Sequence, residues 1–136
     1  MTFVVDASVT LAWYLEDEPN DYAERMLVRL PSEPAVVPAI WGLEVANGLL
    51  IAERRGRVTS ADAARISETL IGLPISPRDL SLDSALGPVH TLARSEGLSS
   101  YDASYLELAM REGIPLATVD ERLRAAAGRV GVALVE

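Results

Sequence analysis

LSSYDASYLELAMREG, residues 98–113, reads as a helix that sets one carboxylate on the side an amphipathic helix buries. At 3.6 residues per turn Asp102 shares a face with Tyr105, Leu106, Ala109 and Met110, and that apolar face is the one expected to meet the core. Ser99 or Ser100 can cap its start, and Gly113 stands where a C′ glycine ends a helix. Asp102 therefore falls in the first turn, where the helix dipole favours an anion. That local role accounts for the acid by itself. The other reading is that the acid has a partner outside the helix, because a carboxylate taken out of water needs one.

Working outward, residues 115–119 (PLATV) form an apolar strand ending at Asp120, which is placed to cap a helix over 121–127. Residues 128–131 then turn the chain into a last strand, 132–135. Upstream, 81–96 is helical, with His90 as an ordinary partly buried side chain, and 74–77 holds a short strand at most. Thr59 followed by Asp62 resembles a capping box that opens a helix to Leu73. Before it, Pro38 suits the first turn of a long helix ending at Gly56, with apolar positions Ile40, Leu43, Leu50 and Ile51, and with Glu44 and Asn47 on one face. A buried strand over 35–37, a helix over 20–30 and an N-terminal strand over 2–5 complete the chain. The first strand runs into Asp6-Ala7-Ser8 and a helix through Val9, Ala12, Trp13 and Leu15, closed by Glu16 to Glu18 and Pro19. Short strands alternating with helices predict a three-layer α/β/α sandwich around a parallel sheet of four to five strands, since parallel neighbours need helical crossovers.

Composition narrows the chemistry. The 136 residues suit one domain over 1–136, 49% hydrophobic and 24% charged, with no apolar run near the ~20 residues a membrane span requires. The N-terminus lacks the basic start and apolar core of a signal peptide, so a cytoplasmic protein is expected. No cysteine and a single histidine exclude a thiolate zinc site, a cysteine nucleophile and a histidine-rich metal cluster. All twelve basic residues are arginine, which removes a P-loop lysine and a Schiff-base lysine together. A net charge of −8 opposes casual binding to nucleic acid, whose phosphates call for positive charge. Arg54, Arg55 and Arg57 form the tight basic cluster, readable as a solvated helix end or as a contact for a nucleic-acid substrate.

Asp6, Glu44, Asp102 and Asp120 each have a local structural excuse, yet a parallel sheet brings all four to one edge. In such sheets the ligand crevice lies beyond the carboxyl ends of the strands, which is where Asp6 and Asp120 fall. Two like charges about 4 Å apart repel by roughly 4 kcal/mol at an effective dielectric near 20, so a positive species between the acids is expected. All-oxygen ligands with room for water suit Mg²⁺ or Mn²⁺, whereas Zn²⁺ favours nitrogen or sulfur.

VVDASV at Asp6, Glu44 with Asn47, YDASYLELA at Asp102 and ATVDERL at Asp120 together resemble the PIN-domain ribonucleases, specifically the VapC-type toxins of bacterial toxin–antitoxin pairs. The resemblance spans almost the whole chain. It implies a PIN-like fold, a Mg²⁺-dependent endonuclease acting on RNA, a homodimer, and inhibition by an antitoxin protein encoded beside it. Carried over by residue, Asp6, Glu44, Asp102 and Asp120 would be the catalytic, metal-binding acids, Asp120 often acting through water. Ser8 and Thr118 would be polar neighbours of the site, and Asn47 would support Glu44. The expected reaction is hydrolysis of a phosphodiester by a metal-activated water, leaving a 5′-phosphate and a 3′-hydroxyl. The helical hairpin over 38–73, with Trp41 at its base, is a candidate groove for the antitoxin helix, or else core packing or a dimer face.

Two other classes place an Asp after the first strand of an α/β sheet: receiver-type domains and HAD-type phosphatases. Both usually use a lysine, which this chain lacks, and the phosphatase wants a second Asp where Ser8 stands. A catalytically silent PIN-like binding module would be expected to have lost one or more acids, and all four are present.

Overall fold

The computed structural model describes residues 1–15 and 20–136. The expected closing of the first helix by Glu16 to Glu18 and Pro19 lies outside the described residues. β-Branched and aromatic residues build β1 (Phe3–Val5) and β2 (Ala35–Pro38), every one of them buried. β3 (Ile75–Arg78) and β4 (Leu116–Ala117) complete a four-stranded sheet in the order β3-β2-β1-β4, all pairs parallel. Val4 pairs with Val36 on one side and with Leu116 on the other, so β1 is the centre of the sheet.

The pleat divides the core in two. Val4 faces a cluster with Leu92 and Ala93 of α6 (His90–Glu96), Tyr105, Leu106 and Ala109 of α7 (Ser100–Glu112), and Leu123 and Ala126 of α8 (Glu121–Val130). Phe3 and Val5 face the opposite side, toward Val9 and Ala12 of α1 (Ala7–Leu15) and Ala23 and Met26 of α2 (Asp21–Arg29). A third cluster joins α3 (Trp41–Arg54) to α4 (Ser60–Ile71) through Val45, Leu49 and Leu70. The result is the expected α/β/α sandwich.

Several local expectations are corrected. Pro38 ends β2 instead of opening α3: it pairs with Arg78 at the strand end, and α3 begins at Trp41. The buried stripe of α3 is Val45, Leu49 and Ala52, while Leu43 is 70% exposed and Leu50 and Ile51 also reach solvent. Met110 is exposed too, because it lies about 80° round the helix from Asp102 at 3.6 residues per turn. The helix expected over 81–96 is interrupted: α5 (Leu82–Ser84) passes through a π turn, Ala85–Val89, before α6, and Pro88 inside that turn has no N–H for a regular ladder. β4 is shorter than the 115–119 strand, and the expected last strand is reduced to one parallel bridge, Leu116 to Leu134. α8 continues through Gly128 and stops at Gly131, whose φ of 79° suits glycine. The capping box of Thr59 and Asp62 forms as read, with both hydrogen bonds at 3.0 Å.

This topology has one reversal. The chain lays down β1, β2 and β3 in one direction and then returns to place β4 on the far side of β1. At such a switch point the connections leave the carboxyl ends of two adjacent strands in opposite directions and open a crevice between them. α7 precedes β4 and packs over β1 and β2, so its buried face anchors the sheet beside that crevice. Leu106, fully buried in this layer, gives the test: Leu106→Ala is expected to lower the unfolding free energy in urea by about 2–5 kcal/mol, and a loss under about 1 kcal/mol would contradict the central place given to α7.

Candidate active site at the strand switch point

Asp6 follows β1 at once and is 4% exposed. Its Oδ1 accepts from Ser8 Oγ at 2.6 Å and from the Val9 backbone N–H at 3.1 Å, and its Oδ2 accepts from Thr118 Oγ1 at 2.5 Å. Both hydroxyls are themselves fixed from the β4 side: Val119 N–H donates to Ser8 Oγ at 3.3 Å, and Asp120 N–H donates to Thr118 Oγ1 at 3.0 Å. The two strand ends at the reversal are thus stitched together through one carboxylate. Arg124 adds a brace, donating to the Thr118 carbonyl at 2.8 Å while its guanidinium lies 5.3 Å from the centre of the Tyr22 ring. From below, Trp41 Nε1 donates to Thr10 Oγ1 at 3.1 Å, and Thr10 Oγ1 donates to the Asp6 carbonyl at 3.2 Å.

The other acids surround this point. Asp102 takes the expected place in the first turn of α7, its N–H bonded to Ser99 Oγ at 3.0 Å, and it is half-buried. Asp120 caps α8, its Oδ1 accepting from the N–H groups of Arg122 at 2.8 Å and Leu123 at 3.2 Å. Glu44, in the first turn of α3, accepts a 2.6 Å hydrogen bond at Oε1 from the hydroxyl of Tyr105. Burial first, and the nearby charge of Asp102 as well, push Asp6 up from 3.8 to about 6, against the lowering by Ser8, Thr118 and Val9. Burial and the charge of Asp102 raise Glu44, and burial and the charge of Asp120 raise Asp102. Arg122 pulls Asp102 the other way. The acids therefore feel one another across a single rim, and among the described residues none of the four is held in a salt bridge.

Ser8 and Thr118 sit as expected beside Asp6. Asn47 does not support Glu44: it is exposed and makes no hydrogen bond to it, and Tyr105 takes that place. Arg54, Arg55 and Arg57 are not at the rim. They lie at and just past the far end of α3, Arg54 being ten residues beyond Glu44 or about 15 Å along the helix axis, and Arg57 bonds the Leu15 carbonyl. Among the described residues the fold brings Arg122 and Arg124, in the first turn of α8, to the rim. A sequence signal for Tyr105 existed, since it lies three residues after Asp102 on the same helical face. His90 is away from the acids, its ring bonded to Arg94 at 2.9 Å.

The donors are carboxylate and hydroxyl oxygens, which suits a hard divalent cation. Among the described residues no three acidic side chains converge closely enough to enclose an ion directly. The acids form an open rim, not a closed set of direct ligands. Such a rim still fits Mg²⁺ in kind, because that ion keeps several waters and is commonly held by only one or two carboxylates.

The Asp6 shift carries a pH dependence of stability. The folded state holds its proton more tightly than the unfolded chain, so the resulting stabilisation is complete below about 3.8 and is lost as pH rises through about 6. At about 1.4 kcal/mol per pKa unit this difference is worth roughly 3 kcal/mol. In chelator, Asp6→Asn is expected to remove that loss and leave the variant more stable than the parent at pH 7. Parallel urea denaturation series between pH 4 and 7 measure it, and parent and variant curves of equal slope would contradict it.

Comparison with known proteins agrees with this architecture. The family model of the PIN domain matches residues 3–129. Ribonuclease VapC3 of Pyrobaculum aerophilum is 32% identical over 123 residues, 90% of this chain and 92% of the relative. The crystal structure of PAE2754 from Pyrobaculum aerophilum superposes with a TM-score of 0.70 at 28% identity, covering 93% of this chain and 84% of that one. A toxin-antitoxin complex from Klebsiella pneumoniae shares the fold at 16% identity, with a TM-score of 0.60 and coverage of 88% and 87%. With its parallel sheet, its acidic switch point and a family match across nearly its whole length, the chain belongs to the PIN-domain family and is a relative of the VapC ribonucleases.

Proposed function

We propose that this chain is a divalent-metal-dependent endoribonuclease, the toxin of a toxin–antitoxin pair, with Asp6, Glu44, Asp102 and Asp120 as its working acids. The observation that carries the reading is the buried Asp6 carboxylate, locked by Ser8, Thr118 and Val9 at the strand reversal and coupled in charge to Asp102 across the crevice. A structural helix cap needs one such hydrogen bond from the helix; a carboxylate fixed from both strands and facing other acids is arranged for a cation. The relation to a named ribonuclease supports RNA as the substrate.

A bound Mg²⁺ or Mn²⁺ supplies Lewis acidity toward a phosphoryl oxygen and lowers the pKa of water, so hydrolysis to a 5′-phosphate and a 3′-hydroxyl needs no side-chain nucleophile. Asp6 and Asp102 would hold the ion, with Asp120 and Glu44 acting on its water shell. Thr118 and Ser8 keep the two Asp6 oxygens from turning. Arg122, exposed and close enough in charge to affect Asp102, stands where it can meet a phosphate of the RNA strand. Arg54, Arg55 and Arg57 lie too far along α3 to contact the scissile group and would serve at most a distant stretch of RNA.

For the antitoxin, the support is an apolar groove of about 370 Å³ between α3 and α4, lined by Trp41, Val45, Leu49, Leu70, Ile71 and Pro77, which an amphipathic helix could fill. The homodimer draws support from Met110, exposed in the wall of a hollow that Pro88 and Leu92 also line. No helix among the described residues is long and apolar enough to cross a membrane, and an RNA substrate is consistent with action in the cytoplasm.

The full chain, purified without its partner, is expected to cleave RNA in Mg²⁺ and to stop in excess EDTA. Asp102→Asn should retain the thermal unfolding profile and lose at least the roughly 100-fold that disturbing even the outer groups of a metal site costs. Gel-resolved cleavage of total RNA reads both effects. Unchanged cleavage by Asp102→Asn would refute the site.

A further inference from the structure

We infer that Tyr105 is a positioning residue for Glu44: its hydroxyl holds that carboxylate in one orientation at the rim without cancelling its charge, and thereby strengthens the hold of the acids on a divalent cation. The inference rests on the metal-dependent reading above, and it concerns how one acid is aimed, not whether the acids act.

The geometry is specific. The Tyr105 ring is 1% exposed and belongs to the same core cluster as Val4, Leu106 and Leu116, so the packed sheet fixes where its hydroxyl points. That hydroxyl donates to Glu44 Oε1 at 2.6 Å across the gap from α7 to α3. The backbone of Ala7, where α1 begins, lies near enough to that hydroxyl to act on its ionisation. The hydroxyl therefore ties α7 to α3 directly, beside the start of α1 that follows Asp6.

Glu44 needs such a tie more than the other acids. Asp6 is held at both oxygens, Asp102 sits on a cap and Asp120 is itself a cap. Glu44 is half-exposed with a longer side chain, and its one side-chain hydrogen bond among the described residues is the one from Tyr105. Among the described residues no hydrogen bond reaches its Oε2. An arginine at the same place would orient the carboxylate but also neutralise it, whereas a neutral hydroxyl orients it and leaves the full negative charge for a cation. Asp102 and Tyr105 stand three residues apart on one face of α7, so a single helical turn delivers one acid and the clamp for another.

Isothermal titration with Mn²⁺ on the full chain tests this, with thermal melts on each sample. Tyr105→Phe is expected to weaken Mn²⁺ binding about 10- to 100-fold, the usual effect of removing an outer partner of a metal-site carboxylate. In the Glu44→Gln background the same change should have no further effect, because its influence passes through Glu44. Parent-like binding by Tyr105→Phe, or an equal loss in both backgrounds, overturns the inference while leaving the metal site intact. Parent uptake that is indifferent to Asp102→Asn overturns the metal reading itself and this inference with it. As a check that needs no change at Tyr105, ¹³Cζ-tyrosine NMR should shift the Tyr105 signal in Glu44→Gln, and an unmoved signal would overturn the contact.

Discussion

A carboxylate buried at the end of the central strand is the constraint around which this molecule is arranged. Asp6 is withdrawn from water, and an isolated buried charge would be untenable. The fold meets the difficulty with two hydroxyls and a backbone N–H, each itself fixed by a neighbouring group. Among the described residues no buried side-chain nitrogen or oxygen is left without a partner. Burial nevertheless outweighs the hydrogen bonds, and Asp6 remains easier to protonate than an ordinary aspartate. A group held in that condition stores an affinity for positive charge.

The position of that carboxylate follows from chain reversal. Had β4 been laid down beside β3, Thr118 could not have reached Asp6, and Asp120 would have capped a helix on the far edge of the sheet. Placing β4 next to β1 instead pairs Val5 with Ala117 and brings the residues that follow each strand within hydrogen-bond distance. α7 runs over the same edge, so its first turn delivers Asp102. The buried apolar face of α7 and the acid at its start are therefore two consequences of one packing arrangement, the stability of the sheet and the assembly of the site sharing the same helix.

Acids gathered in this way oppose one another. Asp102 raises Asp6 and Glu44, Asp120 raises Asp102, and among the described residues no arginine side chain forms an ion pair with any of them. Elsewhere among the described residues several ion pairs lie at the surface, such as Arg29 with Glu33 and Arg65 with Asp62. Such pairs contribute little to stability. That none of the described residues forms such a pair with the rim acids is therefore cheap for the fold and leaves their charge open to a cation.

Much of this was legible in the chain itself. Strand and helix alternation specified the layered parallel fold, because period-2 and period-3.6 patterns report which face is buried. The four acids could be found because three of them lie immediately next to a strand end or a helix start, where local rules assign positions. Ser99, Gly113 and the Thr59–Asp62 box were likewise local, since a cap depends only on neighbours a few residues away. What the tertiary structure alone decided was every relation across long separations. It replaced Asn47 with Tyr105 as the partner of Glu44, set Arg122 at the rim in place of Arg54, Arg55 and Arg57, turned Leu43 and Met110 outward, and spread the acids along one rim. Periodicity says which residues share a face, but which face meets which neighbour depends on strand order and helix packing, and those emerge only when the whole core is assembled.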